Sequence, residues 1–348
     1  MIGRAWGSLG ILALLLTLTM PAIAQSGPNY KITHSYVLGG DGGWDYLTYD
    51  GGTKRLFISR ATHVTVVDPS NGAIIGDIPG TGGVHGIAIA GDLGKGYTSN
   101  GRDNTVTVFD LSSLKTVATI AITGQNPDTI AYDAPTHRVI TFNGRSKDAT
   151  IIDARTDAVV ATVPLGGQPE FAAADGNGMM YDNIEDTSEQ VAIDLRAAKV
   201  VKRWKITGCE GPSGLAMDQK SRRLFAGCSN GVLAVVDPDA ASVVTTLPIG
   251  KGSDAIGFDS GASRVFSSNG DGTLTVVHED GPNAYRVVQN ATTQAGARTC
   301  AVNAATHEVY LVTAAFDVAT PAPDASPGQR PRRSVRAGTF TLLVMSPV

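Results

Sequence analysis

The 348-residue sequence predicts an all-β protein, a seven-bladed β-propeller of four-stranded blades, on three observations. First, a unit typified by residues 97–110 (YTSNGRDNTVTVFD) recurs about every 40 residues, and a period of that size marks a repeat architecture. Second, aromatic residues make up only 6%, glycine is abundant at 41 residues, and Val, Ile and Thr dominate the apolar runs, a composition that favours strands. Third, the last repeat lacks a strand, and an unassigned alternating stretch at residues 30–38 (YKITHSYVL) can supply it. Pairing the first strand with the last repeat would close the ring and remove the exposed sheet edge.

Each segment follows from this frame. Arg4, the apolar run at 11–16 and Ala22-Ile23-Ala24 read as a signal peptide over residues 1–24, cleaved after Ala24. No later stretch is long and apolar enough to span a bilayer, so a periplasmic or secreted protein is expected. The repeats fall at residues 44–83, 84–124, 125–167, 168–208, 209–250, 251–295 and 296–348, all in one domain. The first shows the pattern, with candidate strands YLTY, RLFIS, HVTVVD and AIIGDI. A Pro/Ala/Ser-rich insert at 318–337 interrupts the last repeat, ends in Arg330, Arg332, Arg333 and Arg336, and is too poor in apolar residues to build a core. It is expected to be a flexible loop. Of three cysteines, Cys209 and Cys228 share a repeat and are expected to form a disulfide in an oxidising compartment, leaving Cys300 free and buried.

The segment TSNGRDNTVTVFD and its kin TFNGRSKDATIID and SSNGDGTLTVV resemble the YVTN-repeat β-propellers, the exported proteins grouped with YncE. Tyr97-Thr98-Ser99-Asn100 stands where that family has its tyrosine-valine-threonine-asparagine strand. The resemblance covers residues 30–348 apart from the insert. It implies a propeller; such propellers include lactonases, lyases and non-catalytic binders, so the fold leaves the activity open.

Aligning the repeats places two polar columns at one mouth of the expected channel. At the start of the innermost strands stand Asp45, His85, Asp128, Glu170, Ser213, Asp254 and Arg298. Crowded carboxylates raise one another's pKa or recruit a cation. Asp45, His85, Asp128, Glu170 and Asp254 are therefore candidate ligands for a divalent metal ion (Ca²⁺, Mg²⁺ or Zn²⁺), with His85 favouring a transition metal. His85 and Asp128 are also candidate catalytic groups, with Arg298 orienting an anionic substrate. At the ends of the second strands stand Arg60, Asn100, Asn143, Asn183, Cys228, Asn269 and Thr313. Arg60 and the four asparagines are candidate ligand-binding residues, or the asparagines are turn residues with positive φ. The acids closing the third strands (Asp68, Asp110, Asp153, Asp194, Asp237) read as turn formers.

No nucleophile elbow, phosphate-binding loop or His-Glu-x-x-His motif is present. A net charge of −4 argues against a nucleic-acid surface, the arginines of the insert notwithstanding. The expected function is a module binding a small molecule or protein partner at the polar funnel. The alternative is a metal-dependent lactonase or hydrolase at the same mouth.

Overall fold

The computed structural model describes residues 2–3, 27–40, 42–318 and 333–348; the signal-peptide assignment lies almost wholly outside them. Of the described residues 62% lie in strands and 2% in helix, so the all-β expectation holds. Four antiparallel four-stranded sheets each use strands consecutive in the chain, beginning at Pro127–Asp133, Pro169–Ala174, Pro212–Asp218 and Ser253–Asp259. A fifth combines both ends of the chain, in the order Tyr30–Val37, Thr341–Pro347, Glu308–Thr313, Cys300–Asn303. Residues 30–37 thus supply the strand that the last repeat lacks, pairing Tyr30 with Pro347 and Val37 with Thr341.

The first two repeats share one seven-stranded sheet, because Ala73–Ala90 runs without a break from the edge of one to the innermost position of the next. A short hairpin explains this. Only Arg60 separates Arg55–Ser59 from Ala61–Asp68, and Ala61, at φ 58°, pairs with Val84. The other repeats insert a longer turn there and keep adjacent sheets apart. In the last repeat, Phe316–Val318 and Arg333–Val335 pair as a two-stranded antiparallel sheet, so the ends of the expected flexible loop are ordered; residues 319–332 lie outside the description.

Strand alternation gives every sheet two apolar faces, and the core consists of the layers between neighbours. Ile140, Phe142 and Ile151 of one sheet meet Met180, Ile184 and Val191 of the next. Leu47, Leu56 and Ile58 of the first repeat meet Tyr310, Phe340 and Leu342 of the sheet that joins the termini. Each such fully buried side chain contributes roughly 1.5–3 kcal/mol relative to exposure. The innermost strands touch in chain order from Leu47–Asp50 onward, and Cys300–Asn303 touches Leu47–Asp50 in turn.

Candidate functional site at one end of the innermost strands

Five of the innermost strands share a device that re-aims their first residues. Pairing with the second strand slips between Val84 and Ile87, Pro127 and Thr129's neighbour Ile130, Pro169 and Ala172, Pro212 and Leu215, and Ser253 and Ala255. A bulge leaves the extra residue unpaired and bends the strand. His85, Asp128, Glu170, Ser213 and Asp254 all sit in these slips. A left-handed residue often precedes the bulge, as at Gly83 (φ 68°) and Asn126 (φ 56°).

The bulged column converges. His85 Nδ1 lies 2.6 Å from Asp45 Oδ2 and 3.8 Å from Asp128 Oδ1. The three side chains are 28%, 25% and 22% exposed, open enough to meet a ligand. Arg298 Nε approaches Asp254 Oδ2 at 3.3 Å, and Ser213 Oγ donates to Asp254 Oδ1 at 3.3 Å. Gln168 Nε2 donates to both Glu170 Oε1 (3.4 Å) and Glu185 Oε2 (3.1 Å), which holds those carboxyls together. Below them Tyr46 stacks on Phe171 with centroids 4.4 Å apart and shares a 2.5 Å hydrogen bond with Thr129 Oγ1.

The electrostatics follow from this crowding. Burial pushes the Asp128 carboxyl up to about 6; the His85 charge opposes the rise and Asp45 adds to it. Burial, then the Asp128 and Glu185 charges, push the Glu170 carboxyl well above the ordinary carboxyl range. Asp254 is raised by burial against the pull of Arg298. For His85, burial disfavours the imidazolium, yet the hydrogen bond to Asp45 and the charges of Asp128 and Asp45 raise its pKa.

Among the described residues, the compact set of metal-ligating type is Asp45, His85 and Asp128, whose candidate ligand atoms lie within 4.8 Å of one another. Glu170 and Asp254, expected from the sequence to complete a ligand set, stand outside it, held by Gln168 and by Arg298 with Ser213. Two carboxylates and one imidazole facing a polar mouth fit a small divalent cation. Gly101, absent from the sequence reading, lines the far side of the imidazole. A Cβ there would lie 2.8 Å from His85 Nε2 and 2.9 Å from Asn126 Oδ1.

The second column has a different role. Asn100, Asn143 and Asn269 are fully buried, and none has a positive φ, so they are neither open to a ligand nor turn residues of the left-handed kind. Each is a rung within its own sheet. Asn100 Oδ1 accepts from Thr98 Oγ1 (2.8 Å), while its Nδ2 donates to Thr105 Oγ1 (3.0 Å) and Thr107 Oγ1 (2.9 Å). Asn143 repeats this with Thr141, Asp148 and Thr150, and Asn269 with Ser267, Thr273 and Thr275. Asn183 is out of register. Met179 pairs with Asp194 as Arg138 pairs with Asp153, which places Ile184 in the column and turns Asn183 toward the next sheet. There its Nδ2 donates to Ser213 O (2.8 Å) and Gly214 O (3.2 Å). Arg60 is 2% exposed, its guanidinium donating to Gly39 O and Gly42 O and lying 3.7 Å above the Phe340 ring. It fastens the segment leading into Trp44 and Asp45.

Cys228 holds the rung position in its sheet and is bonded to Cys209, with Cα atoms 5.4 Å apart, as expected; Cys300 is free and buried. No helix among the described residues is long and apolar enough to cross a membrane.

Hydrazine synthase from Kuenenia stuttgartiensis, a propeller-containing protein, provides a solved structure similar to this chain. The TM-score is 0.68 at 14% sequence identity, over 85% of this chain and 95% of that one. At that identity the likeness shows the fold alone, which is of the β-propeller type. No family model and no curated protein matches the sequence.

Proposed function

We propose that this chain is an exported, seven-bladed propeller of YVTN-repeat type that binds a small ligand through a divalent cation at one mouth of its channel. The single observation that carries the site is the convergence of Asp45, His85 and Asp128 within 4.8 Å. Support for a closed ring comes from the contacts of successive innermost strands and from the sheet shared by both termini. Support for export comes from the disulfide together with the Ala-x-Ala pattern ending at Ala24. His85 tilts the preference toward Zn²⁺ or another transition ion over Ca²⁺ or Mg²⁺. Bound there, the cation would polarise a ligand carbonyl, while Arg298, half exposed at 49%, would meet an anionic group.

A second reading, metal-assisted hydrolysis of a lactone or ester, draws on one further observation. Burial and neighbouring carboxylates raise Glu170 further than Asp128, and separated carboxyl pKa values suit an acid paired with a base. Elemental analysis of protein purified without chelator tests the first reading. Stoichiometric metal that is lost in His85→Ala and Asp128→Asn supports it, and protein free of metal with no cation-dependent melting shift rejects it. Lactone and ester assays then separate binder from hydrolase: turnover abolished by Asp128→Asn selects the hydrolase.

A further inference from the structure

At the opposite end of the strands, the repeat sets a basic residue at the start of its second strand across from an acid at the end of its third. Arg138 is ion-paired with Asp153, directly opposite, and Arg223 reaches Asp237 at 3.1 Å. One sheet breaks the pattern. In the strand Thr273–Gly281 the sequence reads Val-Val-His where other repeats read Val-Val-Asp or Ile-Ile-Asp, and the register puts His278 across from Arg264.

Arg264 has therefore lost its carboxylate. It is only 5% exposed, and its side chain makes no hydrogen bond or ion pair with another described residue. A guanidinium largely enclosed by protein with no ion-pair partner is unfavourable, so the site suits an anion. Arg264 also lines a pocket of about 410 Å³ with Tyr30, His278, Arg286 and His307. Of the carboxylates near this pocket, Asp280 is held by Arg286 Nε at 2.9 Å and lies 3.5 Å from His278 Nε2. Asp259, fully buried, is taken by His307 Nδ1 at 2.7 Å. Neither carboxylate makes an ion pair with Arg264: Asp259 is taken by His307, and Asp280 acts on Arg264 only through space while serving Arg286 and His278. The backbone of Gly27 closes one wall so tightly that a Cβ would lie 2.6 Å from Arg264 Nη2. Burial pushes the Tyr30 hydroxyl up to about 12, which keeps it a hydrogen-bond donor.

We infer that this pocket binds a small oxyanion, with Arg264 as its principal contact and Tyr30, His278 and Arg286 as supporting donors. The site is separate from the Asp45–His85–Asp128 mouth and does not rest on the proposal made for it. A guanidinium offers several N–H donors in one plane, which suits a tetrahedral anion or a carboxylate.

Thermal melting and calorimetric titration of the whole mature protein with inorganic phosphate, sulfate and acetate, against chloride at equal ionic strength, test this. Phosphate or sulfate alone raising Tm identifies a tetrahedral anion, and an equal response to acetate identifies a carboxylate. Arg264→Gln is expected to weaken binding roughly 10-fold or more, the loss of a charge-assisted hydrogen bond. His278→Asp restores the carboxylate of the other repeats, so it should raise Tm without added anion and abolish the anion response. That variant decides the matter should Arg264→Gln fail to fold. Arg138→Gln, which removes a paired arginine, should leave the response intact. Wild type indifferent to all three anions, or His278→Asp responding like wild type, overturns the inference.

Discussion

The two polar columns at one end of the strands look equivalent in sequence and have opposite fates in the fold. His85 and Asp128 sit in the bulges of two innermost strands, Asp45 just precedes a third, and the three side chains meet. Asn100, Asn143 and Asn269 end regular second strands only one strand away, and every polar atom of their amides is used inside the sheet. A polar residue recurring in a repeat therefore marks a site only where the backbone turns it out of the ladder. In the ladder, the same polarity is structural.

The largest effect that would break this contrast concerns Asn143. Truncation to Ala leaves Thr141, Asp148 and Thr150 without their buried partner and should cost about 2–4 kcal/mol, measured by urea unfolding. Cation binding per folded molecule should stay unchanged; a stable Asn143→Ala with lost cation binding would reverse the assignment. His85→Ala should do the opposite, removing the cation response at small cost in stability.

The next effect is a pH dependence with a defined sign. Asp128 has a folded pKa of about 6 against an ordinary 3.8, so the folded state holds its proton more tightly than the unfolded chain. Its contribution is fully present below pH 3.8 and is lost as pH rises through 6, up to about 3 kcal/mol for a two-unit shift. Glu170, raised more strongly still, extends the loss to higher pH. Stability measured from pH 4 to 8 should fall in metal-free protein, fall less in Asp128→Asn, and be restored at high pH by the cation. A rise over that range would contradict the crowding described at the mouth.

A smaller effect sharpens the geometry. Gly101→Ala brings a Cβ within 2.8 Å of His85 Nε2, which must displace the imidazole, and should weaken the cation about 10-fold with a smaller change in melting. Unchanged affinity would place the cation elsewhere. The smallest effect lies on the exposed turns. Hydrogen bonds from Ser112 and Ser113 hold Asp110 down at about 2, the opposite shift to Asp128. Its contribution is present above 3.8 and is lost as pH falls through about 2, so Asp110→Asn should lower stability slightly at neutral pH and by less as the pH approaches 2. Acid melts of the two proteins check this.

Much of this was legible in the chain. The alternation in residues 97–110, the unclaimed strand at 30–38 and the Cys209–Cys228 pairing each follow from local pattern, and each stands in the structure. Of the inner column aligned from the sequence, His85, Asp128, Glu170, Ser213 and Asp254 fall in the same bulge of five repeats. Asn183 shows where such reading ends. A one-residue slip exchanges the faces of a strand, and the letters of Tyr-Asp-Asn-Ile do not announce it. The rungs were hidden for a related reason: Asn143 bonds Thr150 across a hairpin whose length must be known before the partners can be named.

The sequence by itself determined the repeat, the strands and which residues are polar, since these rest on alternation and turn chemistry over a few neighbours. Only the tertiary structure decided which polar residues share a space. Asp45 and His85 lie 40 positions apart and Arg264 lost its counter-charge to a cross-strand neighbour. Coulomb energy and burial depend on distance through space, which strand order, bulges and register set together.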